Sequence, residues 1–143
     1  MSVRFRDLRA WKYKLVDSYQ INIGIKTPAD IETPVDRPFV RLHTGGGLDI
    51  MAGYTWDGPS GPTPDFKCSM RSSLVHDALY QLLRSCKLES HYRPVIDGIM
   101  RDILIMDGMP IWLAYIYWIG VRLFAARYAR PQLEQAPAIR TAP

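Results

Sequence analysis

In the first half of the chain, apolar and polar residues alternate in short runs, which predicts β-strands. The runs cover residues 11–16, 19–25, 39–43 and 48–56, and Gly or Pro clusters separate them. They are rich in β-branched and aromatic residues, a composition typical of half-buried strands. Three glycines at 45–47 suit a hairpin turn, because glycine takes a positive φ without steric cost. These runs predict a small antiparallel sheet.

The second half changes to a helical period. Residues 70–84 contain no Gly or Pro and carry an apolar stripe at four-residue intervals. A second helix over 94–106 begins with proline, which a first turn tolerates, and ends at a Gly108 cap. A third helix is expected from residue 111 to about residue 130. The predicted fold class is therefore α+β, with an N-terminal antiparallel sheet followed by three C-terminal helices.

Composition and charge indicate one domain and argue against a specific nucleic-acid partner. The chain has 143 residues, 48% hydrophobic and 22% charged, which is ordinary for one folded domain. We expect a single domain over 1–130 and a flexible, Pro- and Ala-rich tail over 131–143. The net charge of +4 comes from two basic flanks, so a specific nucleic-acid partner is not expected. The N-terminus lacks the apolar segment of a secretory signal, and Cys68 and Cys86 are expected to be free thiols.

The candidate site begins at a loop dense in Gly and Pro, residues 53–62, which carries Asp57 and precedes the first helix. On that helix His76 and Tyr80 are four residues apart and share a face, while Asp77 points about a quarter-turn away. The imidazole can move a proton near neutral pH, and a carboxylate can hold a hard cation. Asp97, alone on the apolar face of the next helix, is the candidate acid to orient His76.

A purely structural interpretation stays open for each of these residues. His76 would then bond a backbone carbonyl, and Asp57 would stabilise its own turn. Asp97 would pair with an arginine, for which Arg71, Arg93 and Arg101 are candidates. Polar clusters are only probabilistic markers of function, so the sequence leaves a site and a structural brace as alternatives.

A family resemblance rests on two motifs. Residues 50–62 read IMAGYTWDGPSGP and residues 74–80 read LVHDALY, followed by Asp97 and an Asp-Gly turn. Over roughly residues 38–125 this order resembles the family catalogued as domain of unknown function 1353, which is common in bacteriophages and prophages. The resemblance implies a phage- or prophage-type protein in the bacterial host cytoplasm, with the virion or the inner-membrane surface as alternatives.

The order of loop, helix and later acid is also similar to that of the secreted calcium-dependent phospholipases. That likeness implies His76 as the base, Asp97 and Tyr80 as its support, and Asp77 with Asp57 as calcium ligands. Zinc, or no metal at all, remains an alternative to calcium. The implied activity is metal-dependent hydrolysis of lipid or cell-envelope esters. The alternative is a non-enzymatic virion or assembly component in which the same residues brace the fold.

The third helix bears on the choice of partner. Its uncharged apolar run, residues 109–121, is 13 residues long and too short to span a bilayer. It is expected to be a core helix covering the sheet or a contact with another chain, through self-association or in a virion. The rival is an interfacial helix on a lipid surface, in which aromatic residues lie at the interface and Arg122 meets lipid phosphates.

Overall fold

The computed structural model describes residues 2–8, 12–33, 39–59 and 66–126. The α+β class is confirmed, with an antiparallel sheet region followed by three helices. The strands are β1 Phe5–Leu8, β2 Lys12–Leu15, β3 Tyr19–Asn22, β4 Ile31–Glu32, β5 Val40–Leu42, β6 Gly47–Ile50 and β7 Thr55–Trp56. The helices are α1 Lys67–Arg84, α2 Arg93–Met106 and α3 Ile111–Phe124, with a 3-10 turn at Ser90–Tyr92 before α2.

The strands form two sheets instead of the single sheet that was predicted. One has the order β1-β2-β7 and the other β3-β6-β5-β4, and every pairing is antiparallel. The run at 48–56 is split between them because the chain turns at Gly53, where φ is +93°. The Gly53 amide donates to the Leu15 carbonyl at 2.8 Å, which moves the chain from β6 to the edge of β2. The short strands β1 and β4 were not predicted.

The glycine hairpin is confirmed between β5 and β6. The His43 amide donates to the Gly47 carbonyl at 2.8 Å, and Gly46 has a φ of +93°. A Cβ at Gly46 would lie 2.9 Å from the Cα of Gly24, so the turn needs glycine for space as well as for conformation.

Helix α1 contributes to the main core along most of its length. Leu74, Val75, Ala78 and Leu79 are fully buried in one cluster with residues from both sheets. Ile96 and Ile103 of α2 belong to the same cluster, so the two sheets, α1 and one face of α2 share the main core.

Helix α2 packs on α1, and α3 packs on α2. The Gly108 cap is confirmed, with φ +97° and a bond from the Met109 amide to the Leu104 carbonyl at 3.0 Å. The expectation that α3 covers the sheet is wrong, because its inner side meets Met100 and Leu104 of α2 in a second small cluster. Within α3 only Ala114 is fully buried.

The structure also bears on the membrane and cysteine predictions, while some other predicted features lie outside the described residues. Across the four described ranges no helix is long and apolar enough to cross a membrane. Cys68 and Cys86 are both free thiols. The predicted tail over 131–143, the end of the third helix beyond residue 126 and loop positions 60–62 lie outside the residues that the structure describes.

Candidate active site

Helix α1 presents His76 and Tyr80 together because residues four apart share a helical face. Their ring centroids are 4.1 Å apart. Both rings are buried, with His76 7% and Tyr80 2% exposed. They meet Asp97 of α2, which is fully buried, so the sequence-predicted partners lie together between two helices.

Asp97 is bonded through both of its carboxylate oxygens. The His76 Nε2 lies 2.9 Å from Oδ1, and the Tyr80 hydroxyl donates to the same oxygen at 2.6 Å. Arg122 of α3 donates to Oδ2 at 2.9 Å. Arg93 lies 3.9 Å from Oδ2 and donates to the Tyr80 hydroxyl at 3.2 Å. We call these five residues the Asp97 cluster.

The cluster keeps the Asp97 carboxylate ionised. Burial acts to raise its pKa, but hydrogen bonds from His76, Tyr80 and Arg122 outweigh burial, and the pKa lies below its ordinary value. Burial and the bond to Asp97 raise the pKa of Tyr80 well above its ordinary value. The hydroxyl of Tyr80 therefore remains a proton donor at neutral pH.

The contact with Asp97 defines the proton position on His76. A carboxylate accepts, so Nε2 carries the hydrogen in the neutral ring and Nδ1 carries the lone pair. Among the described residues Nδ1 has no hydrogen-bond partner. The ring is thus oriented through one nitrogen, and the other is available as a proton acceptor.

Asp77 and Asp57 lie elsewhere, at a cavity of about 250 Å³ between the end of the β-region and α1. Its described lining is Tyr54, Thr55, Trp56, Asp57, Asp77, Gln81 and Arg84. Burial raises the pKa of Asp77 to about 6, and the nearby Asp57 adds to the rise. His76 and Arg84 act in the opposite direction, as does the Asp57 amide.

The prediction that all four residues line one pocket is correct only in part. His76 and Asp97 form the buried pair, whereas the described cavity lining contains Asp57 and Asp77 and neither member of that pair. The reason is helical geometry: consecutive side chains diverge by about 100°, so His76 turns to α2 and Asp77 to the loop.

A metal implied by the resemblance would have to use the cavity lined by Asp57 and Asp77. In the described ranges no three His, Cys, Asp or Glu residues are grouped to hold a metal ion. Asp57 and Asp77 nevertheless provide two carboxylates facing one cavity, which Arg84 also lines, and burial raises the pKa of Asp77. These two residues fit a hard cation that keeps most of its water.

Arg122 was not predicted as part of the site. Its side chain turns inward to Asp97, contrary to the alternative in which it meets lipid phosphates. Of the arginines considered as partners of Asp97, Arg93 lies in the cluster, Arg71 pairs with Asp107 at 2.7 Å and Arg101 pairs with Asp102. The sequence feature that could have indicated a buried partner for Arg122 is that it is the one charged residue in the apolar stretch 109–126.

Comparison with known proteins adds no assignment, since no family model, curated protein or solved structure matches this chain. The resemblance to the phage family and the likeness to phospholipases therefore stay predictions.

Proposed function

We propose that this protein is a hydrolase in which His76 is the general base. The observation that carries the proposal is the Asp97–His76 pair, with Nε2 bonded at 2.9 Å and Nδ1 without a protein partner among the described residues. A base oriented by a buried acid is the arrangement that proton transfer needs. The substrate class, an ester of a lipid or the cell envelope, and the phage or prophage context follow from the resemblance alone.

The proposed reaction begins with a water molecule beside Nδ1. The imidazole takes one proton from this water as its oxygen bonds to the ester carbonyl carbon. The proton then passes to the alkoxide as the ester C–O bond breaks, which leaves an acid and an alcohol. Asp97 stabilises the imidazolium through Nε2, and Tyr80 and Arg122 hold that carboxylate in place.

Asp77 and Asp57 would hold the cation in this proposal. A calcium ion bound there would supply positive charge on the side of α1 that adjoins His76. The protein's own contribution is the pair of carboxylates, Asp77 and Asp57, that face one cavity together with Arg84.

The first test replaces His76. His76→Ala is expected to lower ester turnover by about a thousandfold, because general bases contribute 10²–10⁴-fold. His91→Ala is the matched control, since the His91 side chain is 64% exposed and contacts Glu89 and the ring of Tyr92 at the surface. Turnover is measured on a panel of carboxyl and phospholipid esters, with thermal melting for each variant. Wild-type turnover that survives His76→Ala contradicts the assignment.

The second test concerns the cation and is read without turnover. Trp56 lines the cavity, so its fluorescence is expected to change on titration with calcium. Asp77→Asn is expected to weaken binding by about tenfold or more, because a neutral amide is a poor ligand for a hard cation. Asp102→Asn, at an exposed carboxylate on α2, serves as the control. Zinc and magnesium titrations then establish which metal, if any, the cavity selects.

The second candidate function is a virion or assembly component. It is favoured by the number of internal bonds to Asp97, which joins α1, α2 and α3 as a brace would. In that case the wild type shows no turnover and no cation binding, and His76→Ala lowers the melting temperature strongly. The protein is then expected in purified particles.

A further inference from the structure

The outward face of α3 carries an apolar stripe that no described residue covers. Trp112, Ile116, Ile119 and Leu123 are 67%, 55%, 49% and 68% exposed. Their intervals of four, three and four residues are those of a heptad seam, by which one helix packs against another. We call these four residues the outer seam. The opposite side of α3 already packs on α2, so the helix is apolar on both sides.

The exposed area is large for a monomer. Ile111, Tyr115 and Phe124 flank the outer seam and are 63%, 42% and 71% exposed. Typical monomers expose apolar patches of only a few hundred Å². Seven large side chains exposed on one helix form a patch of the kind that marks a contact with another molecule.

Gly120 is a second, independent feature of the same face. It lies in the middle of α3, four residues after Ile116 and three before Leu123. Glycine disfavours a helix interior, yet Gly120 has no positive φ, and a Cβ there would meet no atom within 4 Å. Among the described residues, none requires a glycine at this position. A second backbone packed closely against α3 would require a glycine there.

The charge distribution indicates which partner fits. The described part of α3 has one charged residue, Arg122, and its guanidinium bonds Asp97 on the inner side. At the rim, Arg101 lies over the rings of Tyr115 and Trp118 and is paired with Asp102. The outer seam is therefore uncharged. An identical seam meets it without repulsion, whereas an anionic lipid surface finds no free cation on it.

We infer that the outer seam is a homodimer contact, in which α3 of one chain packs against α3 of a second copy. A two-fold interface places each seam residue opposite the same set on the partner, which suits four apolar residues of similar size. Such a dimer does not depend on His76 being a base. If the protein is an assembly component, the neighbouring chain that contacts α3 is a second copy of the same protein.

The test is the mass of the full-length chain in solution, by light scattering and sedimentation equilibrium over a dilution series. The wild type is expected at twice the chain mass of 16.4 kDa. The double variant Ile119→Asp/Leu123→Asp is expected to weaken the dimer by at least about a hundredfold, because it buries two charges against an apolar partner. Val95→Asp, an equally exposed apolar position on α2, should leave the dimer unchanged.

Gly120→Leu is the second variant, and it separates loss of the dimer from loss of the fold. Its added side chain meets open space in the monomer, so helicity by circular dichroism should persist while the dimer is lost. A monomeric wild type at every concentration overturns the inference, as does a dimer that survives both seam variants. A monomer that binds vesicles of phosphatidylglycerol or phosphatidylcholine through the outer seam overturns it in favour of a lipid surface.

Discussion

Two neighbouring residues on α1 have opposite electrostatic environments. His76 faces a buried carboxylate that arginine, tyrosine and imidazole donors satisfy, and the pKa of Asp97 is accordingly low. Asp77 faces a cavity with Asp57, where burial raises its pKa to about 6. A pair of carboxylates whose pKa values are moved apart by their surroundings is typical of sites that need one permanent charge and one adjustable charge.

The Asp77 environment leads to a pH prediction in metal-free buffer. Its folded pKa of about 6 exceeds the unfolded value of 3.8, so the folded state binds the proton more tightly. The stability contributed by the protonated acid is complete below the unfolded pKa and is lost as the pH rises through about 6. Asp77→Asn is therefore expected to match the wild type at about pH 4 and to exceed it by about 2 kcal/mol at about pH 8.

Urea unfolding of both proteins at both pH values, with a chelator present throughout, measures the difference in their free energies of unfolding. Asp102→Asn serves as the control, because its carboxylate is exposed and pairs with Arg101 on the surface of α2. An Asp77→Asn protein that is less stable than the wild type at the higher pH would mean that the native carboxylate is fully compensated.

At the scale of elements, Gly108 ends a helix and Gly46 turns a hairpin, and the two positions require glycine for different reasons. Gly108 caps α2 with φ +97°, and the space beside it is open. Gly46 turns the β5–β6 hairpin with φ +93° and packs against the backbone of Gly24. Both positions need the left-handed region, but only Gly46 lacks room for a side chain.

Substitution by alanine should separate these two effects. Gly108→Ala is expected to lower the free energy of unfolding by about 1 kcal/mol through the positive φ alone. Gly46→Ala is expected to cost about 2–3 kcal/mol, because the Gly24 backbone must also move. Gly45→Ala, in the same turn without positive φ or close neighbours, should be nearly neutral. Equal losses at Gly46 and Gly108 in chemical denaturation would contradict the role of the close packing.

Across the whole molecule, Asp97 is the point where the three helices are joined. Its partners come from α1 and α3, and Arg93 further donates to the Arg122 carbonyl at 2.9 Å. Helix α3 otherwise has a small buried side, because only Ala114 is fully buried. The attachment of α3 therefore depends on a charge pair as much as on apolar packing.

Asp97→Asn is expected to destabilise the fold by about 3–5 kcal/mol, because it leaves Arg122 and Arg93 without a buried counter-charge. Hydrogen exchange should show the loss first in α3, whose attachment depends on Arg122. Arg122→Met is the matched variant, since it removes the arginine and leaves Asp97 bonded to His76 and Tyr80. Uniform exchange across all three helices in Asp97→Asn would show that α3 is not the weaker unit.

Sequence periodicity was sufficient to divide the chain into strands and helices, to pair His76 with Tyr80 on one face, and to select Asp97 as their partner. These are local properties, since side-chain period and helix geometry relate residues only a few positions apart. Periodicity did not indicate that the run at 48–56 divides between two sheets, that Asp77 faces a cavity whose described lining lacks His76, or that Arg122 reaches Asp97. Nor did it predict that α3 leaves an apolar face outside. An apolar residue shows that a face avoids water, but only the tertiary structure decides which element, if any, covers it, because that depends on contacts between residues far apart in the chain.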